Sequence, residues 1–176
     1  VYDKYFIPRG KKTDVSFRDP ERFSLQPGRL LIELVVVANF VEVFLAKEGH
    51  AGMVGINYLE KIQMPHIFSL FGALLAGVDF VTVGAGIPSQ FPSVMAGLAG
   101  GEAVEYRLDV TGAVPGEFVI RFDPADFFEE HAVPEIPLPG FLPIISSTVL
   151  AKRLTKELSG KIDAFVIEGP TAGGHN

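Results

Sequence analysis

The chain of 176 residues is 48% hydrophobic and 20% charged, with 19 Gly and 13 Pro, an apolar share that excludes intrinsic disorder. Its 15 Lys and Arg against 21 Asp and Glu give a formal net charge of −6, and no basic cluster exceeds Arg9-Gly10-Lys11-Lys12, so the counterion release that drives nucleic-acid binding has no patch to act from. No Cys is present, which excludes disulfides, thiolate metal sites and a cysteine nucleophile, and agrees with a reducing, cytoplasmic setting.

Taken in chain order, the first segment is polar and broken by Pro8, Gly10, Pro20 and Pro27. Residues 1–29 therefore read as an irregular arm, and its first residues lack the basic start and apolar segment of a secretory signal. From Leu30 to Ala46 the chain is at its most apolar, yet it holds Glu33, Asn39 and Glu42. Each charge at a bilayer centre costs about 2.5–3.5 kcal/mol, so this stretch reads as buried core and not as a membrane span. The β-branched run Leu31–Ala38 predicts a strand, followed by a helix over Phe40–Glu48 that stops at Gly49.

Met53–Asn57 predicts a second strand. A helix starting near Pro65 follows, with Ile67, Phe68, Phe71, Leu74 and Leu75 on one face and Gly77 beyond its end. The pattern repeats as a strand over Phe80–Gly84 and a helix from Pro88 or Ser89 to Leu98. Between residues 103 and 139 the regularity lapses, with two strand-like runs, Ala103–Val110 and Glu117–Phe122, that predict a hairpin before an acidic, Pro-rich connection. It returns with a strand over Phe141–Ile145, an N-cap at Ser146 or Ser147, a helix over Thr148–Leu158 and a last strand over Ala164–Glu168.

Short buried strands alternating with amphipathic helices predict a parallel α/β fold, and in both closed and open versions ligands sit at the C-terminal ends of the strands. The residues after each apolar run are Ala38-Asn39, Asn57-Tyr58, Gly84-Ala85-Gly86, Ser146-Ser147 and Glu168 to His175. They are small, polar and Gly-rich, as a site for a flat phosphorylated ligand requires. Gly173 and Gly174 can bring backbone N–H groups close to an anion, and His175 can exchange a proton near neutral pH. A tight turn is the simpler reading of that Gly pair taken alone. Gly84-Ala85-Gly86 lacks the third glycine of a dinucleotide fingerprint. His50, His66 and His131 show no metal-ligand spacing, and Glu129-Glu130, Asp123 and Asp126 read as solvated loop charges.

The stretch Asp163-Ala164-Phe165-Val166-Ile167-Glu168-Gly169-Pro170-Thr171-Ala172-Gly173-Gly174-His175 resembles the signature of the nitronate monooxygenases, formerly 2-nitropropane dioxygenases. These are FMN-dependent (β/α)8 barrels with a Gly-x-x-Ala-Gly-Gly-His motif at the end of a strand. Gly55-Ile56-Asn57 resembles the family's Gly-Val-Asn strand end, Val81 to Pro88 resembles the strand that closes in Gly-x-Pro, and Phe141 to Lys156 resembles the strand and helix before the His motif.

The resemblance implies a (β/α)8 barrel, of which residues 30–176 would be the N-terminal part, since such barrels need about 250 residues. It implies FMN contacts at Asn57, Glu168, Gly173 and Gly174, and His175 as the catalytic proton-transfer residue. It also sets Ala38 and Asn39 where the family's first strand ends in Gly-Pro-Met. Glu168 stands where the family commonly has Gln, and an ionised carboxylate cannot donate the amide's hydrogen bond. The implied activity is oxidation of alkyl nitronates, a small-molecule substrate, by molecular oxygen, with no nucleic-acid, membrane or metal partner and with homo-oligomerisation left open. FMN-dependent enoyl-acyl carrier protein reductases carry the same motif and are the second expectation. A non-catalytic β/α scaffold module is the third.

Overall fold

The structure is a computed structural model that describes residues 1–172 except Arg18, Pro20 and Glu130. In chain order its elements are α1 (Tyr2–Tyr5), α2 (Arg29–Ala46), β1 (Gly55–Leu59), α3 (His66–Leu75), β2 (Phe80–Gly84), α4 (Phe91–Ala99), β3 (Val104–Arg107), β4 (Val119–Phe122), α5 (Pro124–Phe128), β5 (Gly140–Ile145), α6 (Thr148–Glu157) and β6 (Val166–Ile167). The architecture is mixed α/β with a mostly parallel sheet. The four strands β1-β2-β5-β6 lie side by side in the order in which the chain makes them, each pair parallel. The antiparallel pair β3-β4 forms the expected hairpin, inserted with α5 between α4 and β5.

The strand expected over Leu31–Ala38 is helix. Arg29–Ala46 is one uninterrupted helix of 18 residues. β-branched residues disfavour a helix by only a few tenths of a kcal/mol each, no Gly or Pro interrupts the run, and packing on α3 outweighs the preference. Leu31, Val36 and Val43 are the buried residues of α2; Val36 and Val43, seven residues apart, share one helical face and belong to the core. The two helices approach closely because Gly72 of α3 offers no Cβ; one there would collide with the carbonyl oxygen of Val36. Helix α3 is buried from His66 through Leu74, enclosed by α2, α4 and both hairpin strands, which explains its lack of a polar face.

Burial alternates along the strands. Val81 and Val83 of β2 and Phe141, Pro143 and Ile145 of β5 are buried, while Phe80, Thr82, Leu142 and Ile144 between them are half-buried. Strands laid in chain order with right-handed crossovers carry their helices on one face, and the other face displays Asn57, Thr82 and Leu142 in one register row. At the opposite rim the Asp79 carboxylate accepts from Lys47 Nζ and from the Val54 N–H, both at 2.7 Å, tying the end of α2 to the starts of β1 and β2. Those hydrogen bonds, the lysine's foremost, hold its pKa below the ordinary value. The expected N-cap is Ser147, whose Oγ accepts from the Leu150 N–H at 3.2 Å. No helix among the described residues is long and apolar enough to cross a membrane.

Candidate functional site

The parallel arrangement brings the C-terminal ends of all four sheet strands to one rim, where the sequence expectations converge. Strand β1 runs two residues beyond Asn57, so Asn57 lies within the strand. The Thr82 hydroxyl, 3.1 Å from Asn57 Oδ1 and 3.2 Å from the Ile56 carbonyl, engages that amide oxygen, which leaves the Asn57 NH2 as a donor on the half-open face. Glu168 follows β6 and is half-buried; its N–H donates to the Ile145 carbonyl at 2.8 Å, prolonging the β5-β6 pairing toward the rim. Gly173, Gly174 and His175 lie outside the described residues.

Ala38 and Asn39 do not belong to this rim. They sit within α2, and the candidacy drawn from a strand end falls with the strand. Asn39 has a structural task. Its Nδ2 donates to the Val35 carbonyl at 2.9 Å and its Oδ1 accepts from the Tyr58 hydroxyl at 3.1 Å, linking α2 to the helix-covered side of β1.

The rim also gathers residues that the sequence did not single out. Glu60, directly after β1, donates its N–H to the Gly84 carbonyl at 2.8 Å. Its carboxyl group rests on the backbone of Gly86, where any Cβ would collide with it, and accepts from the Tyr106 hydroxyl at 3.4 Å. Partial burial, reinforced by the Asp109 charge, pushes the Glu60 pKa up against the lowering effect of that hydrogen bond. Between them Ala85 adopts a left-handed φ of 54°, a conformation that a residue with a Cβ holds only where its surroundings enforce it.

His66, the first residue of α3, is buried at 2% exposure. Its Nε2 must donate to the Leu59 carbonyl, 3.0 Å away, since the carbonyl only accepts. Its Nδ1 is therefore an acceptor, buried without a partner. The rings of Phe91 and Tyr106 meet it edge-on with centroids 4.9 and 5.2 Å away. Burial lowers its pKa to about 4, outweighing the Leu59 hydrogen bond, so the imidazole is neutral at physiological pH.

Two glutamines fasten the hairpin over this rim. Gln90 Nε2 donates to the Arg107 carbonyl at 2.9 Å and its Oε1 accepts from the Arg107 N–H at 3.0 Å. Gln63 repeats the pattern on Asp109, donating to its carbonyl at 3.2 Å and accepting from its N–H at 2.5 Å. Each side-chain amide thus replaces the neighbouring strand that the free edge of the hairpin lacks. Beneath the clamp lies a cavity of about 260 Å³ lined by Glu60, Ser89, Gln90, Arg107 and Asp109 among others.

Larger hollows, of about 510 Å³ beside Arg121 and about 390 Å³ beside the start of β5, lie away from the strand ends and carry less weight on that ground. No cluster of three or more potential metal ligands occurs among the described residues. No family model, curated protein or solved structure matches the chain.

Nothing in the local pattern marked Glu60, Gln63 or Gln90, because each acquires its meaning from a hairpin residue far along the chain. The one available signal was position, since Glu60 directly follows a strand that continues two residues past its last expected residue.

Proposed function

We propose that the chain is part of an FMN-dependent oxidoreductase of the nitronate monooxygenase type, built as a (β/α)8 barrel and oxidising alkyl nitronates with molecular oxygen. The observation that carries the reading is the parallel pairing of β6 with β5. It delivers residues 168–172, the start of Gly-x-x-Ala-Gly-Gly-His, at the same rim as Glu60 and Gly84-Ala85-Gly86. Strand order supports a barrel over a doubly wound sheet, because strands added in chain order never reverse direction across the sheet as a doubly wound order requires. The half-open inner face then corresponds to a barrel interior.

The residues present fit FMN in part. Asn57, with its oxygen engaged by Thr82 and its NH2 projecting, suits a hydrogen bond to an acceptor on a flat ring. The exposed backbone at Ala85 permits close approach, and Gly173 with Gly174 would meet the phosphate-bearing portion. Glu168 serves as a donor only when protonated, and Ala38 and Asn39 have no part. When bound, FMN would supply the acceptor for two substrate electrons and their route to oxygen. His175 would manage the proton at the substrate carbon or on the intermediate.

The test is oxygen consumption by the intact, FMN-reconstituted gene product with ethylnitronate. Turnover that is lost in His175→Asn while the flavin stays bound is the expected result. NAD(P)H oxidation coupled to an enoyl thioester, with no nitronate turnover, would replace this reading with the reductase.

A further inference from the structure

The cavity under the hairpin holds an arginine and a glutamate that do not pair with each other. Arg107 reaches Gln90 through its Nε at 3.4 Å, and no carboxylate lies within ion-pair distance of its guanidinium among the described residues. Glu60 has the Tyr106 hydroxyl on its carboxyl and likewise no cation within that distance. Both nevertheless line the same space of about 260 Å³. Arg107 is kept in place through its backbone by Gln90, and Glu60 by the backbone of Gly86 beneath its carboxyl group. Two opposite charges thus line one space with no ion pair between them among the described residues.

The charges decide which ligand. With Glu60 ionised, the groups facing the cavity are two carboxylates, Glu60 and Asp109, and one guanidinium, an excess of negative charge that repels anions. With Glu60 protonated, Arg107 balances Asp109 and the carboxyl becomes an O–H donor. Tyr106 and the neutral His66 packed on it add no charge. Ser89, also in the lining, can donate a further hydrogen bond.

We propose that this cavity binds a small organic oxyanion with two equivalent oxygens, one on the Arg107 guanidinium and the other on the protonated carboxyl of Glu60, so that anion and proton are taken up together. A planar nitronate or carboxylate of a few heavy atoms has the required pair of oxygens. The site abuts the flavin rim where Glu60 rests on Gly86, but its two ligands, Arg107 and Glu60, are not among the residues assigned to flavin, and it stands whether or not flavin binds.

The test titrates propionate, an unreactive isostere of ethylnitronate, into the intact gene product while the Arg107 Nε–H resonance is followed by NMR. A saturable shift is expected, with affinity falling up to tenfold per pH unit above the Glu60 titration, because one proton enters with each anion. Glu60→Gln keeps a neutral donor and should bind propionate with no such pH dependence. Arg107→Met should weaken binding at least tenfold at every pH. Absence of a saturable shift, survival of the pH dependence in Glu60→Gln, or unchanged affinity in Arg107→Met would each overturn the proposal. Propionate binding by a protein that takes up no FMN would count against the flavin reading alone.

Discussion

His66 shows how a single buried side chain shapes both stability and the site. Its one hydrogen bond fixes the tautomer, and its surroundings of aromatic rings exclude the charged form. A folded pKa of about 4 against an ordinary 6.5 means that the unfolded chain binds more protons between those values. Stability is therefore fully present above about pH 6.5 and is lost as pH falls through 4, by about 3 kcal/mol in all. Urea unfolding between pH 7 and pH 4 should show that decline, and His66→Gln, which never charges, should flatten it. An unchanged slope in the variant would assign the loss to other groups. At the same scale, Glu60 owes its raised pKa to partial burial, with the Asp109 charge adding to it and the Tyr106 hydrogen bond opposing it.

At the scale of elements, helix α2 carries the correction to the sequence reading, and the hairpin clamp adds what that reading did not address. Val37→Pro probes the uninterrupted helix near its middle. Proline within a helix removes a hydrogen bond and clashes with the preceding turn, costing about 3 kcal/mol or more, so thermal unfolding should shift sharply down; tolerance of the proline would restore the strand ending at Ala38-Asn39. The clamp makes a local prediction. Gln63→Ala and Gln90→Ala should each cost about 1 kcal/mol, and the amide protons of Asp109 and Arg107 respectively should lose at least tenfold in hydrogen-exchange protection.

Phe80–Gly84 and Phe141–Ile145 were legible because a short apolar run between turn residues has few alternatives in an alternating chain. Leu31–Ala38 was not, because its β-branched side chains suit a strand locally and only the close seat on Gly72 makes the helix the better structure. The hairpin was legible from the strand-like runs Ala103–Val110 and Glu117–Phe122, but its attachment by glutamine amides was not, since a solvent-exposed and a clamping glutamine look alike in sequence.

Across the whole molecule, parallel pairing in chain order accounts for the placement of chemistry. Strands added side by side in chain order keep their helices on one face, leave the other half-open, and gather at one rim Glu60, Gly84-Ala85-Gly86 and the approach to Gly173-Gly174-His175. The strand-end principle points to Gly84-Ala85-Gly86 and Glu168; it points neither to Glu60 nor to the lateral cover contributed by β3 and β4. On the proposed function, this rim holds FMN, with Asn57 as one of its donors. The most direct measurement is the visible spectrum of the intact gene product after incubation with FMN and removal of the excess. A protein-bound flavin spectrum at one equivalent per chain, weakened in Asn57→Ala, is expected; a colourless protein after reconstitution would rule flavin out of this rim.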